Sequence, residues 1–233
     1  MKVTEHLAAA KDTLFSFEIL PPLKGKSIHS IFDGIDPLME FQPKFVNVTY
    51  HREEYIYKER ENGLLEKIAI RKRPGTVGIC AAIMNKYNVD AVPHLICGGF
   101  SKEETENALI DLQFLGIDNV LALRGDSIKT ESVFRPTADG HSYAVELIEQ
   151  VSDMNRGNYI MDDVLLEPTN FCIGAAGYPE KHFEAMNMNT DLMNAKRKVD
   201  AGASYLVTQM FFDNQKYFDF VAACRAIGID VPI

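Results

Sequence analysis

Short apolar runs recur along the chain at 14–20 (LFSFEIL), 44–49 (KFVNVT), 91–97 (AVPHLIC), 119–124 (NVLALR), 171–176 (FCIGAA) and 204–209 (SYLVTQ). They are rich in β-branched and aromatic residues and bounded by turn formers, so each predicts a strand. Several are apolar on both faces, as in a parallel sheet covered on both sides. Between them lie segments of helical spacing at 28–41, 75–88, 101–116, 142–154, 190–202 and 215–228. Pro37 should kink the first. The 101–116 segment opens on a capping box, Ser101 and Glu104, repeats Leu109, Leu112 and Leu115, and closes at Gly116. Strand and helix alternate throughout, which predicts βα units around a parallel sheet.

Two stretches break the rhythm. Residues 53–73 hold two roughly alternating segments around Asn62-Gly63, a dipeptide that favours hairpin turns. They predict a β-hairpin arm inserted after the second strand: a lid, a subunit contact or a plain surface excursion. Residues 153–170 read as a loop-like insertion. No internal repeat, low-complexity tract or inter-domain linker interrupts 1–233, so a single domain is expected. The last residues, IGIDVPI, read as a turn followed by the opening of a seventh strand. That ending predicts a fragment of a longer protein.

The formal net charge of −9 disfavours nucleic-acid binding, which needs a basic stripe. An anionic ligand stays possible, because a local cluster can oppose the global charge. Cys80, Cys97, Cys172 and Cys224 lie in apolar surroundings with no CxxC pair, which predicts buried thiols in a reducing compartment rather than a zinc site. The N-terminus shows no signal-peptide core, and no apolar run approaches membrane-spanning length. A cytoplasmic protein is expected.

Polar residues gather where the strands should end. Glu18 lies in the first strand. Thr49 and Tyr50 end the second, and His94 lies in the third. Arg124, Gly125 and Asp126 end the fourth. Tyr178, Glu180 and His182 follow the fifth, and Gln209 ends the sixth. In a parallel barrel these ends converge on one rim, where sites form. Each residue also has a plain structural role open to it. Glu18 could pair with an arginine, His94 could be a hydrogen-bonded core histidine, Arg124 and Asp126 could pair with each other, and Gln209 could satisfy backbone groups. A carboxylate held among phenylalanines, as FSFEIL predicts for Glu18, is disfavoured in its charged form and suits a general acid.

No GxGxxG, GxxxxGK[ST] or HExxH motif is present. Asp191, Asn194, Arg197 and Lys198 form one polar stripe on the 190–202 helix. A solvated face is one reading of it. A grip on a diphosphate and its ribose is the other.

The motifs FSFEILPP, FVNVTY, PHLIC, ALRGD, AAGYPEKH, NAKRKVDAGA and LVTQMFFD stand in one order along nearly the whole chain. In them the chain resembles the methylenetetrahydrofolate reductase family. The resemblance implies a TIM (β/α)8 barrel, here cut short after about six βα units, with FAD across its C-terminal rim. It implies reduction of 5,10-methylenetetrahydrofolate to 5-methyltetrahydrofolate by NADH or NADPH in ping-pong order, in one-carbon metabolism and methionine supply. Glu18 would be the catalytic acid that opens the five-membered ring to an iminium. Asp126 would lie near flavin and pterin, Gln209 would contact folate and nicotinamide, and Thr49 would touch the nicotinamide donor. His94, Arg124, Gly125, Asp126, Tyr143, Ala144, Tyr178, His182, Asp191, Asn194, Arg197 and Lys198 would contact FAD. Ala203 would be no ligand but a tightly packed position where a larger residue loosens flavin binding. A homo-oligomer is also expected.

The chain departs from the family pattern at Ile19 and Leu20, where aromatics are usual, and at the 53–73 and 153–170 insertions. Two other readings stand beside the reductase. One is a related flavin barrel oxidising an amino acid such as proline; the other is a truncated barrel fragment without catalysis.

Overall fold

In the computed structural model, residues 1–128, 131–160 and 164–233 are described. All six predicted strands form: β1 Phe17–Ile19, β2 Phe45–Val48, β5 Asp90–Ile96, β6 Asn119–Leu123, β7 Cys172–Gly177 and β8 Tyr205–Thr208. They pair in the order β1-β2-β5-β6-β7-β8, parallel throughout. The result is a curled half-barrel of six strands.

Helices α3 Thr76–Tyr87, α4 Lys102–Phe114, α5 Ala144–Met154, α6 Met188–Asp200 and α7 Asn214–Ala226 follow the predicted helical spacings. The first helical segment divides at the expected place. It is α-helical over α2 His29–Ile35, and Pro37 then opens a 3-10 helix, Asp36–Phe41. The capping box of α4 forms, with Glu104 N donating to Ser101 Oγ at 3.1 Å and Ser101 N donating to Glu104 Oε2 at 2.8 Å. Gly116 then takes φ +69°, a left-handed turn that frees the chain from the helix. Leu109 and Leu112 are buried, but Leu115 is exposed. It caps α4 outside the last regular turn, so it does not share their face.

The arm is a two-stranded antiparallel hairpin, β3 Glu54–Glu59 with β4 Leu65–Arg71. Gly63 takes φ +71° at its tip, where Gly63 N donates to Arg60 O and Arg60 N donates to Leu64 O. A turn followed by a left-handed glycine is the three-residue hairpin form. The arm rises from the C-terminal end of β2, on the rim side. Its base is tied to the loop after β1: Lys24 N donates to Lys72 O at 2.9 Å, and the Arg73 guanidinium donates to Pro21 O.

Helix α1, Val3–Ala9, has no counterpart in the sequence reading. It is short, and only Val3 is buried, so the helical period barely shows. It seats Val3 against Val92, Leu121, Cys172 and Tyr205, side chains that alternate strand positions turn into the barrel. Val3 N donates to Asn119 Oδ1 at 2.8 Å, which anchors the plug to the start of β6.

The larger core lies on the other face, between sheet and helices. There Val48, Leu95, Val120, Ala122, Ile173 and Leu206 pack on the buried stripes of α3 to α7. The four cysteines are free and buried.

Period-two alternation therefore assigns Glu18, His94, Gly174 and Tyr205 to the barrel interior. Gly174 leaves room for Tyr205: a Cβ there would meet the phenol carbon at 2.4 Å and Leu121 Cδ1 at 2.8 Å. Gly174→Ala is expected to destabilise the fold by about 1–3 kcal/mol through overpacking. A urea midpoint equal to that of the parent chain would disprove that account.

Candidate functional site at the C-terminal rim

Glu18 and His94 meet inside the barrel, Glu18 Oε2 lying 3.8 Å from His94 Nε2. The expected enclosure of Glu18 by phenylalanines does not form. Its side chain is 63% exposed, while Phe15 and Phe17 turn away to pack on Phe41. Glu18 is at hand for a ligand rather than shut in a pocket.

His94 is the buried member of the pair. Burial, with the His51 charge as a smaller contribution, pushes its imidazole down to about 4. It is therefore neutral at pH 7, and the contact with Glu18 is no ion pair there. Its Nε2 is buried without a hydrogen-bond partner among the described residues. A cavity of about 160 Å³ opens beside it, lined by Tyr50, Phe100 and Thr105 among others.

The low value makes stability depend on pH. An unfolded histidine titrates near 6.5, so between about pH 6.5 and 4 the unfolded chain holds a proton that the folded chain refuses. This contribution is whole above about 6.5 and is lost as pH falls, on the order of 3 kcal/mol in all. His94→Leu should lose that slope. Urea titrations of both proteins at pH 7 and 4.5 measure the difference, and parallel profiles would refute it.

At the end of β6, Arg124 does not pair with Asp126. Its Nη1 donates to Glu184 Oε2 at 2.5 Å, and its guanidinium lies 5.2 Å from the Phe134 ring centroid. The Glu184 carboxylate holds Arg124 above its ordinary value, and Arg124 holds Glu184 below the usual carboxylate range. Asp126 is exposed just beyond. Gly125, between them, takes φ +81°, and a Cβ there would meet Ile96 Cβ at 3.2 Å. The strand end thus turns sharply on a residue without a side chain.

The loop after β7 supplies the facing wall. Tyr178 and His182 pack edge to face at 4.7 Å. His182 N donates to the buried carboxylate of Asp191 at 2.8 Å. Lys198, two turns further along the same face of α6, donates to Ala176 O at 2.9 Å and lies 5.5 Å from the Tyr178 ring centroid. Burial lowers the Lys198 ammonium despite Asp191, and Arg124 adds to the effect. The His182 imidazole is lowered by burial and then by Arg124, while burial and Asp191 raise the Tyr178 phenol.

The predicted stripe on α6 is therefore graded. Asp191 is buried, Lys198 and Asn194 are half-buried, and Arg197 is exposed with Nη1 donating to Asn194 Oδ1 at 3.2 Å. It is not one solvated face.

Other candidates have humbler surroundings. Thr49 Oγ1 donates to Ile19 O at 3.2 Å, its N donates to the same carbonyl at 3.0 Å, and His51 Nε2 lies 3.2 Å from the hydroxyl. Gln209 is exposed, and its N donates to Gly177 O at 2.8 Å. Tyr143 is the exposed N-cap of α5, and Ala144 is buried beneath it. Ala203 is 3% exposed and belongs to the sheet–helix core, away from the rim groups. Glu180 points elsewhere, to Lys216 at 2.7 Å.

Three rim residues escaped the sequence reading: Glu184, Lys181, and Arg52 in its bond to Glu131 at 3.3 Å. All three lie in irregular loops, where no period singles out one charge from its neighbours. Arg52 does leave a trace, since it lies over Gly98: a Cβ there would meet Arg52 Cδ at 2.7 Å. Among the described residues no cluster of His, Cys, Asp and Glu is placed to hold a metal ion. Nor is any helix there long and apolar enough to cross a membrane.

The backbone resembles a putative lyase/mutase from Burkholderia cenocepacia J2315, with a TM-score of 0.56 at 15% identity over 95% of this chain and 69% of that one. Oxaloacetate acetylhydrolase follows with a TM-score of 0.51 at 12% identity over 94% of this chain and 66% of that one. At such identities the likeness concerns the fold alone. Sequence relatives say more. 5,10-Methylenetetrahydrofolate reductase of Salmonella typhimurium is 33% identical over 220 residues, covering 94% of this chain and 62% of the relative. Methylenetetrahydrofolate reductase (NADH) 1 of Zea mays is 33% identical over 245 residues, covering 100% of this chain and 37% of the relative. Probable methylenetetrahydrofolate reductase (NADPH) of Caenorhabditis elegans is 30% identical over 230 residues, covering 98% of this chain and 31% of the relative. The chain thus spans less than two thirds of the length of these relatives. The family pattern described as Methylenetetrahydrofolate reductase matches residues 2–233, and the chain belongs to that family.

Proposed function

We propose that this half-barrel carries the FAD site of an enzyme that reduces 5,10-methylenetetrahydrofolate to 5-methyltetrahydrofolate with NADH or NADPH. The observation that carries the reading is the convergence at one rim of a cationic, half-buried wall and an interior carboxylate. Arg124 and Lys198 form the wall, and Glu18 stands beside neutral His94.

The residues present fit such a cofactor. The buried His94 Nε2 lacks a partner among the described residues, as an atom awaiting a ligand would. The left-handed turn at Gly125 brings backbone to the rim with no Cβ in the way. Arg124, Lys198 and Arg197 supply donors for phosphate oxygens, with Asn194 beside them, and Tyr178 and His182 supply flat faces. Asp126, Tyr143, Ala144 and Asp191 complete the set that would hold FAD. FAD supplies hydride chemistry when bound: a hydride accepted from NADH or NADPH and passed to the methylene carbon of the folate.

The chain's own residues do the rest. Glu18, exposed inside the barrel, would pass a proton to the folate nitrogen that must leave the methylene carbon. Asp126 places a carboxylate where pterin donors can reach it. Gln209 offers an amide to whichever substrate occupies the rim, and Thr49 borders the nicotinamide. Because the two substrates share that rim, they take turns there in ping-pong order. The free, buried thiols suit a cytoplasmic setting. Exposed Phe183, Met186 and Phe212 suit a homo-oligomer.

The test is a visible spectrum of the purified chain with FAD, before and after anaerobic NADH. Bound flavin that bleaches supports the reading. A chain that binds no flavin at any concentration tested, alone or extended past Ile233, would overturn it.

A further inference from the structure

We propose that Lys181 is a positioning residue, an ammonium staple that closes the loop after β7 so that His182 and Glu184 face Arg124. The inference rests on the FAD reading for its consequence but not for its geometry. Lys181 takes φ +72°. Side chains other than glycine seldom adopt that left-handed region, and Asn or Asp are the usual exceptions. Lys181 has neither the missing Cβ nor the short amide that would ease it.

Its side chain does something else. Nζ donates to His182 O at 2.8 Å and to Ala185 O at 2.7 Å. An ammonium has three donors and no acceptor, so it gathers carbonyls, and charge makes these bonds stronger than neutral ones. The two carbonyls belong to residues one and four further on, so the side chain folds forward over its own loop. Backbone bonds complete the turn: Lys181 N donates to Tyr178 O at 3.1 Å and Ala185 N to His182 O at 3.0 Å.

The closed loop has a definite output. Glu184 N donates to His182 Nδ1 at 3.2 Å, so that ring nitrogen is an acceptor and the imidazole proton sits on Nε2. The ring is thereby held in one tautomer and packed on Tyr178 at 4.7 Å. The same turn carries the Glu184 carboxylate to Arg124 Nη1, 2.5 Å away. Asp191 fixes the loop at His182 N from the helix side. Lys181 fixes it from within. Without the staple, Glu184 and His182 would be tied by the Asp191 bond and two weak turns. Arg124 would then lose its partner and its orientation.

Two variants separate this role from mere tolerance of an awkward turn. Lys181→Gly relieves the left-handed φ and removes the ammonium; Lys181→Met keeps the strain and removes the ammonium. Lys181→Arg keeps a cation and is the conservative rescue. The first readout needs no flavin: amide hydrogen exchange over 181–187. Both ammonium-free variants should exchange at Glu184 and Ala185 at least tenfold faster, with the arginine variant between them and the parent. The second is FAD titration, where Lys181→Gly and Lys181→Met should bind at least tenfold more weakly although Lys181→Gly melts no lower than the parent. If Lys181→Gly exchanges and binds like the parent, or better, the staple is overturned. Failure of the parent chain itself to bind FAD would overturn the flavin consequence and leave hydrogen exchange to decide the staple.

Discussion

On the proposed function, Glu18→Gln is expected to cut methylenetetrahydrofolate reduction by about 10²–10⁴-fold, the usual contribution of a positioned general acid. Flavin reduction by NADH should keep its rate. The asymmetry follows from what each step asks of a proton. Opening the folate ring leaves electrons on a nitrogen that must take a proton, whereas hydride delivery from a nicotinamide needs none from the protein. The amide keeps the shape and the hydrogen bonds of the acid but cannot give up a proton at neutral pH. Glu18 lies 3.8 Å from His94 and is otherwise open to the barrel interior, so the substitution breaks no hydrogen bond to a buried group. Stopped-flow measurement of the two half-reactions on the parent protein and variant checks it. Equal losses in both would remove Glu18 from proton transfer. An unchanged folate step would move the acid elsewhere, and His94 would not be its replacement, because burial keeps that ring neutral down to about 4.

How much of this was legible beforehand depends on the kind of signal. Strands buried on both faces announce themselves as unbroken apolar runs, and six such runs gave six parallel strands. Their ends then located the rim, because a parallel barrel has only one side where they can finish. Glu18, His94 and Arg124 follow from that topology. Which group pairs with which does not. Arg124 and Asp126 are two apart on the chain and looked like natural partners, yet Arg124 reaches across to Glu184, sixty positions later. A pairing of that kind is decided by how a loop folds back, and the 178–187 loop has no period to betray its shape. The Glu18 environment misled for a related reason. Phe17 directly precedes it, but in a strand neighbours i±1 point to opposite faces, and Phe15, ahead of β1, joins Phe17 on Phe41, so the phenylalanines that seemed to enclose the carboxylate turn away from it. Helix α1 was invisible because one buried valine makes no pattern. The polar stripe on α6 was seen, but its grading from buried Asp191 to exposed Arg197 is a tertiary fact.

Arg124→Met should weaken FAD binding by thirtyfold at least, and by as much as several thousandfold. That range corresponds to about 2–5 kcal/mol for removing one partner from a half-buried, hydrogen-bonded charge set. The side chain is 20% exposed and that of Glu184 40%, so water screens the pair only in part. Methionine keeps much of the stem, which limits the loss from packing, while the guanidinium's contact with Phe134 goes with the charge. The charge it deletes is what opposes Glu184. With the guanidinium gone, a carboxylate that is now paired would face the phosphates bare, so repulsion adds to the missing attraction. The double variant Arg124→Met with Glu184→Gln separates the two. It should recover part of the affinity, because only the attraction is then absent. Glu184→Gln alone should cost less than Arg124→Met, since it leaves the cation in place and only loosens its aim. Isothermal titration of FAD into the four proteins closes this double-mutant cycle. Losses that add with no coupling would mean that Glu184 and Arg124 act on the cofactor separately. Full retention of affinity by Arg124→Met would take the cofactor away from the end of β6.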